Sequence, residues 1–112
     1  MIRWSPRAFA DLVALGDFIA RDNPEAARTW VDKLRNRFET AAESPLAGRK
    51  VPEFRLDEVR EVFVRTYRLV YRVDSEGITV LTIIEGHRTL TAIEGAPDTR
   101  ASAKPKARRK GR

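Results

Sequence analysis

The chain has 112 residues, 42% of them hydrophobic and 34% charged, with no cysteine and a formal net charge of +6. That length supports one small core and leaves no room for a second domain. Its apolar runs are far short of the ~20 residues a bilayer crossing needs, residues 1–6 lack a signal-peptide stretch, and without cysteine there is no disulfide framework or thiolate chemistry; together these point to a cytoplasmic protein.

Ile2 and Trp4 mark a short first strand. Ser5-Pro6 then reads as an N-cap followed by proline at the first helical position, where its missing N–H costs nothing. Ala8, Phe9, Leu12, Val13, Gly16 and Ile19 recur at helical spacing and predict a helix through about residue 22. Asn23-Pro24 repeats the start signal. Ala27, Trp30, Val31, Leu34, Phe38 and Ala41 form a second stripe that ends near Glu43, before Ser44-Pro45. Two amphipathic helices with so short a link predict an antiparallel hairpin. Pro45 to Arg49 reads as the loop closing the second helix, with Gly48 expected at a turn of positive φ.

The period then changes to two. Residues 59–65, 67–73 and 78–84 are rich in β-branched and aromatic side chains and predict three strands. Arg65-Thr66 and Asp74 to Gly77 are the expected turns. These loops set Val73 opposite Ile78, Tyr71 opposite Val80 and Leu69 opposite Thr82. One face then carries Val62, Val64, Tyr67, Leu69, Tyr71, Val73, Ile78, Val80, Thr82 and Ile84, a floor for the helices. The fold class is α+β, β-α-α-β-β-β, an antiparallel sheet with a two-helix hairpin on one face. The opposite face carries Val59, Glu61, Phe63, Arg68, Val70, Arg72, Thr79, Leu81 and Ile83. A two-layer domain has no second helical layer to cover it, so these apolar groups ask for a partner. Alternatively, the Arg68 and Arg72 stems lie over them while Glu61 pairs with the guanidiniums.

The charge is divided unevenly. Residues 97–112 hold seven basic side chains against Asp98 alone, while residues 1–96 hold fifteen basic and fifteen acidic ones. Residues 1–96 therefore form the expected folded domain, and 97–112 a basic tail with no large apolar group to order it. Candidate general bases are few: His87, beside Arg88, and the two tyrosines, which the pattern places in the core. No second histidine or carboxylate cluster accompanies His87, so no metal and no cofactor are expected. For Arg60, a structural ion pair with Glu58 or a helix carboxylate is the simplest role.

The chain resembles the RelE/ParE superfamily of type II toxin–antitoxin toxins, on its ParE-like branch. The resemblance rests on Trp4-Ser5-Pro6, Ala8, Asp11-Leu12, Asn23-Pro24, Ala26-Ala27, Pro45 to Arg49, Val59 to Val62, Tyr67 to Val73 and Glu85 to Arg88. It covers nearly all of residues 1–94. Arg60, seven residues before Tyr67 and followed by Glu61, fits the ParE side. At the position where RelE-type nucleases carry an arginine, four residues before that tyrosine, this chain has Phe63. Lys50 stands alone where those nucleases carry several lysines ahead of the sheet. Arg88, ending the last strand, does match those nucleases, but Glu94 stands where they have a tyrosine.

The resemblance implies a growth-inhibiting toxin of the kind that stabilises plasmids, acting on DNA gyrase by protein contact rather than catalysis. It implies a cognate antitoxin as partner in a hetero-oligomer, with Arg60, His87 and Arg88 as target-binding residues. The open sheet face, through Phe63, Arg68, Val70, Arg72, Leu81 and Ile83, together with the exposed sides of the helices, is the expected antitoxin site. The alternative is a ribosome-dependent mRNA endonuclease using His87 and Arg88.

Overall fold

Both helix starts follow from their caps. In the computed structural model, which describes residues 1–86, strand β1 (Ile2–Trp4) leads into helix α1 (Pro6–Ala20). The Ser5 hydroxyl accepts the Ala8 N–H at 3.0 Å and donates to the Leu81 carbonyl at 3.3 Å, tying the helix start to the sheet. Helix α2 (Pro24–Glu43) begins where the Asn23 side chain accepts the N–H groups of Glu25 and Ala26, each at 3.1 Å. A 3₁₀ turn at Pro45–Ala47 follows, then β2 (Arg49–Lys50), β3 (Val59–Val64), β4 (Tyr67–Asp74) and β5 (Gly77–Glu85). The strand order is β1-β5-β4-β3-β2. Strands β3, β4 and β5 pair antiparallel, as the sequence implies, and the two-residue β2, placed where the sequence predicts a loop, adds antiparallel to β3. Strand β1 joins the edge parallel to β5, so the sheet is mixed rather than antiparallel throughout. Among the described residues no helix is long and apolar enough to cross a membrane.

The turn at Arg65-Thr66 is present, with Arg65 at φ 53°. The second hairpin is tighter than expected, because Asp74 pairs with Gly77 and only Ser75 and Glu76 lie between. Asp74 accepts the Glu76 N–H at 2.8 Å, and that bond together with Arg3 holds its carboxyl below the usual range. Gly77 sits at φ 134°, and a Cβ there would run into the backbone of Met1. Only glycine lets β1 pass so close.

Between Val70 and Tyr71 of β4 the ladder shifts. Tyr71 faces Val80 and Val70 faces Thr82, which leaves Leu81 as the extra residue of a β-bulge. Leu69 therefore faces Ile83, not Thr82. Ile83 joins the core under the helices and Ile84 moves to the other face. The reason lies in Asp11 of α1. Its carboxylate accepts the buried Thr82 hydroxyl at 2.5 Å and the Ile83 N–H at 3.3 Å, meeting the polar groups the bulge displaces. Asp11→Ala strands both groups, and we expect it to cost about 1–3 kcal/mol, measured as a shift in urea midpoint.

The helix-side core joins Ala8, Leu12, Leu34 and Phe38 to Leu69, Tyr71, Ile78 and Val80. Trp4 meets Phe38 edge to face at 5.3 Å, and Trp30 meets Tyr67 at 5.8 Å. The opposite face is not open. The segment 51–58, which joins β2 to β3, folds across it as a strap. Val51, Phe54 and Leu56 pack on Val59, Val70, Leu81 and Ile84 in a second small core. The strap supplies what a third layer would, so a two-layer pattern read from helices and strands alone misses it.

Candidate functional surfaces

Arg68 lies at the centre of the strap's attachment. Its side chain is 4% exposed, and the Glu61 carboxylate beneath it is fully buried. Arg68 Nε donates to Glu61 at 2.6 Å, while its terminal nitrogens donate to the two oxygens of Glu53 at 2.7 and 2.8 Å. Arg49 donates to the other Glu61 oxygen at 2.6 Å. Two cations and two carboxylates thus link β2, β3, β4 and the strap. Hydrogen bonding to Glu53 pushes the Arg68 guanidinium well above its ordinary range. Pairing of Glu61 with Arg68 is the arrangement the residue alternation offered as the second reading of this face.

The six residues expected to bind an antitoxin therefore separate. Val70 and Leu81 are fully buried under the strap, Arg68 is 3% exposed, and Ile83 is turned to the helix side by the bulge. None of these four presents a docking surface. Arg72 is half-buried beside Val59 and Thr79. Phe63 remains open at 40%, with the Arg49 guanidinium 5.2 Å from its ring.

Arg60 makes no ion pair with Glu58 or a helix carboxylate among its hydrogen bonds. It donates instead to three carbonyls: Asp57 at 2.7 Å, Leu46 at 3.2 Å and Gly48 at 3.0 Å. Strand β3 turns this side chain under the loop that follows α2, where unpaired carbonyls converge. Tyr71 completes the clamp by donating its hydroxyl to Pro45 O at 2.7 Å. Gly48 has φ −69°, so positive φ does not explain it. A Cβ there would collide with the Tyr71 hydroxyl and crowd the Glu61 carbonyl. The clamped loop holds Leu46 out at 61% exposure. Tyr71→Phe should cost about 1 kcal/mol through the lost Pro45 bond, read from thermal unfolding. His87 and Arg88, expected at the target-binding end, lie outside the described residues.

A second surface runs along the outer flank of α2. Thr29, Lys33, Asn36, Arg37 and Thr40 recur on one side of the helix and form a groove with Phe63, Val64 and Arg65. Its volume is about 680 Å³. Lys33 and Arg65 both approach the Trp30 ring, at 5.8 and 5.6 Å. The exposed side of α2 is among the surfaces the sequence marks for a partner, but only the fold brings Arg65 beside Lys33.

A helical hairpin on a five-stranded mixed sheet, with a clamped loop and an open groove, defines a small α+β domain. It is similar to a chain of the chromosomal ParDE toxin–antitoxin system from P. aeruginosa, with a TM-score of 0.62 and 23% identity, over 75% of this chain and 92% of that one. The candidate toxin Y4kP of Sinorhizobium fredii (strain NBRC 101917 / NGR234) is 32% identical over 89 residues, 78% of this chain and 88% of that protein. Residues 2–90 match the family described as ParE toxin of type II toxin-antitoxin system, parDE, and the chain belongs to that family.

Proposed function

We propose that this ParE-family toxin inhibits DNA gyrase in the cytoplasm by protein–protein contact, and that a cognate antitoxin neutralises it. The observation that carries the non-catalytic reading is the state of the two tyrosines. Tyr71 is fully buried, its hydroxyl committed to the Pro45 carbonyl, and burial raises its pKa. Tyr67 packs on Trp30, and burial, reinforced by Glu85, raises its pKa too. Neither is suited to take a proton near neutral pH, where a general base for RNA cleavage must work. Arg60, likewise, is spent on carbonyls and positions the Pro45–Ala47 loop; we place it behind the target contact rather than in it. The loop's exposed Leu46, together with Arg88, is then the contact we favour.

The test is inducible expression with parallel readouts of the DNA-damage response and of mRNA cleavage, followed by gyrase supercoiling with purified protein. The damage response should rise, and supercoiling should fall with added toxin. His87→Gln removes the remaining candidate base while keeping hydrogen bonding, and we expect toxicity to persist within a few-fold. A catalytic base would instead lose ~10²–10⁴ in rate. Loss of toxicity in His87→Gln, together with wild-type cleavage of ribosome-bound mRNA, would replace gyrase with the ribosome as target.

A further inference from the structure

The sheet ends at β1 on open backbone. Ser5 N–H donates to the Val80 carbonyl at 3.0 Å, and Ile78 N–H donates to the Met1 carbonyl at 3.0 Å. Along a strand the side to which the backbone groups point alternates. Residues 1, 3 and 5 therefore bond to β5, while Ile2 and Trp4 direct their N–H and C=O groups away from it. Strand β1 is last in the strand order, so no strand lies opposite those groups among the described residues. An edge of this kind is a template for another strand.

The side chains at this edge say which strand. On the helix face Ile2, Trp4 and Phe38 line a recess of about 300 Å³ whose remaining lining is Arg35 and Glu39 of α2. Both charged residues are exposed, and neither has an ion pair inside the chain among the described residues. A cation and a carboxylate one helical turn apart complement their own copies when a second chain is turned by a two-fold axis. An antiparallel pairing that sets Ile2 opposite Trp4 satisfies the open backbone groups of both chains. It also places a β-branched side chain against an aromatic ring at each end. A register shifted toward α1 fails, because Pro6 has no N–H to donate. On the outer face Arg3 comes beside its copy, but each Arg3 is already held by Asp74 at 2.5 Å and Glu76 at 3.0 Å. We propose that two copies of this chain join β1 to β1 in this register, Arg35 of each facing Glu39 of the other, to make one continuous sheet. The pairing does not depend on which target the toxin acts on. Strands β3 and β2 lie at the opposite edge, so the groove beside Phe63 stays open in the pair. Because β1 is only three residues long, the pair is weak and forms as concentration rises.

The experiment follows the full chain by sedimentation equilibrium and by amide hydrogen exchange in NMR, from about 10 μM to about 1 mM. The mass should pass from monomer to dimer. At the upper end the Ile2 and Trp4 amides should exchange at least tenfold more slowly than at the lower. Arg35→Glu and Glu39→Arg, both at exposed helix positions, should each weaken association at least tenfold and leave the unfolding of the dilute monomer unchanged. An equimolar mixture of the two variants should associate at least as tightly as the wild type, because the mixed pair sets a glutamate against an arginine at both contacts. The proposal is overturned by a monomer at every concentration, by a dimer indifferent to both charge reversals, or by a mixture no tighter than either variant alone. A dimer that leaves the Ile2 and Trp4 amides unprotected overturns it and places the interface elsewhere. Protection of those amides that is the same at every concentration also overturns it and assigns the edge to the chain's own remaining residues.

Discussion

Arg68→Ala should destabilise the protein by about 3–5 kcal/mol, the range for removing one partner of a buried ion pair. The Glu61 side chain is fully buried, and its other partner, Arg49, is 57% exposed. Without Arg68 the carboxylate keeps one half-solvated cation, and Glu53 loses the fork that seats the strap. The urea midpoint should fall with little change in slope. The double variant Arg68→Leu/Glu61→Leu should recover much of the loss, because a well-packed apolar pair commonly matches a buried ion pair. Lys50 and Asp57 form the contrasting case. Their 2.9 Å contact lies between side chains 52% and 82% exposed, where ion pairs contribute little. A loss below about 1 kcal/mol for Arg68→Ala would mean that water reaches Glu61 and that the strap is not seated by charge.

The parts of this fold legible in the sequence are those set by short-range chemistry. Ser5-Pro6 and Asn23-Pro24 specify helix starts because a side-chain acceptor and a fixed φ act within three residues. Strands β3 and β4 read clearly because their turn, Arg65-Thr66, is two residues long and fixes the register through Val59↔Arg72. The bulge was not legible. Leu81, Thr82 and Ile83 are all compatible with either face, and the residue that decides between them, Asp11, lies 71 positions away from Thr82. The strap escaped for a related reason. Val51, Phe54 and Leu56 have neither helical nor strand period, and their apolar character shows only against Val70 and Leu81. Gly48 announced a constraint, but the constraint is the Tyr71 hydroxyl rather than backbone φ. For the candidate surfaces, Phe63 was visible as an apolar residue on a mixed face. The groove it borders needs Lys33 and Arg65 brought together from separate elements, which spacing alone does not reveal.

Leu81→Ala and Phe63→Ala together test which part of the outer sheet face is core. Both residues belong to the same alternating pattern, yet Leu81 is fully buried and Phe63 is 40% exposed. Leu81 is also the extra residue of the bulge, so the strap side chains close over it with little freedom to settle. Truncation there should cost about 2–5 kcal/mol, as for leucine in a core that collapses only in part. Phe63→Ala removes an edge ring and its contact with Arg49 and should cost under about 1 kcal/mol. Thermal unfolding of the two variants beside the wild type gives the comparison directly. Binding separates them in the opposite sense: corrected for folded fraction, Leu81→Ala should keep antitoxin affinity, while Phe63→Ala should lose it. Equal tolerance of both truncations would mean that residues 51–58 do not cover the sheet. Val70 and Leu81 would then return to the surface, and the antitoxin would have the whole face to occupy.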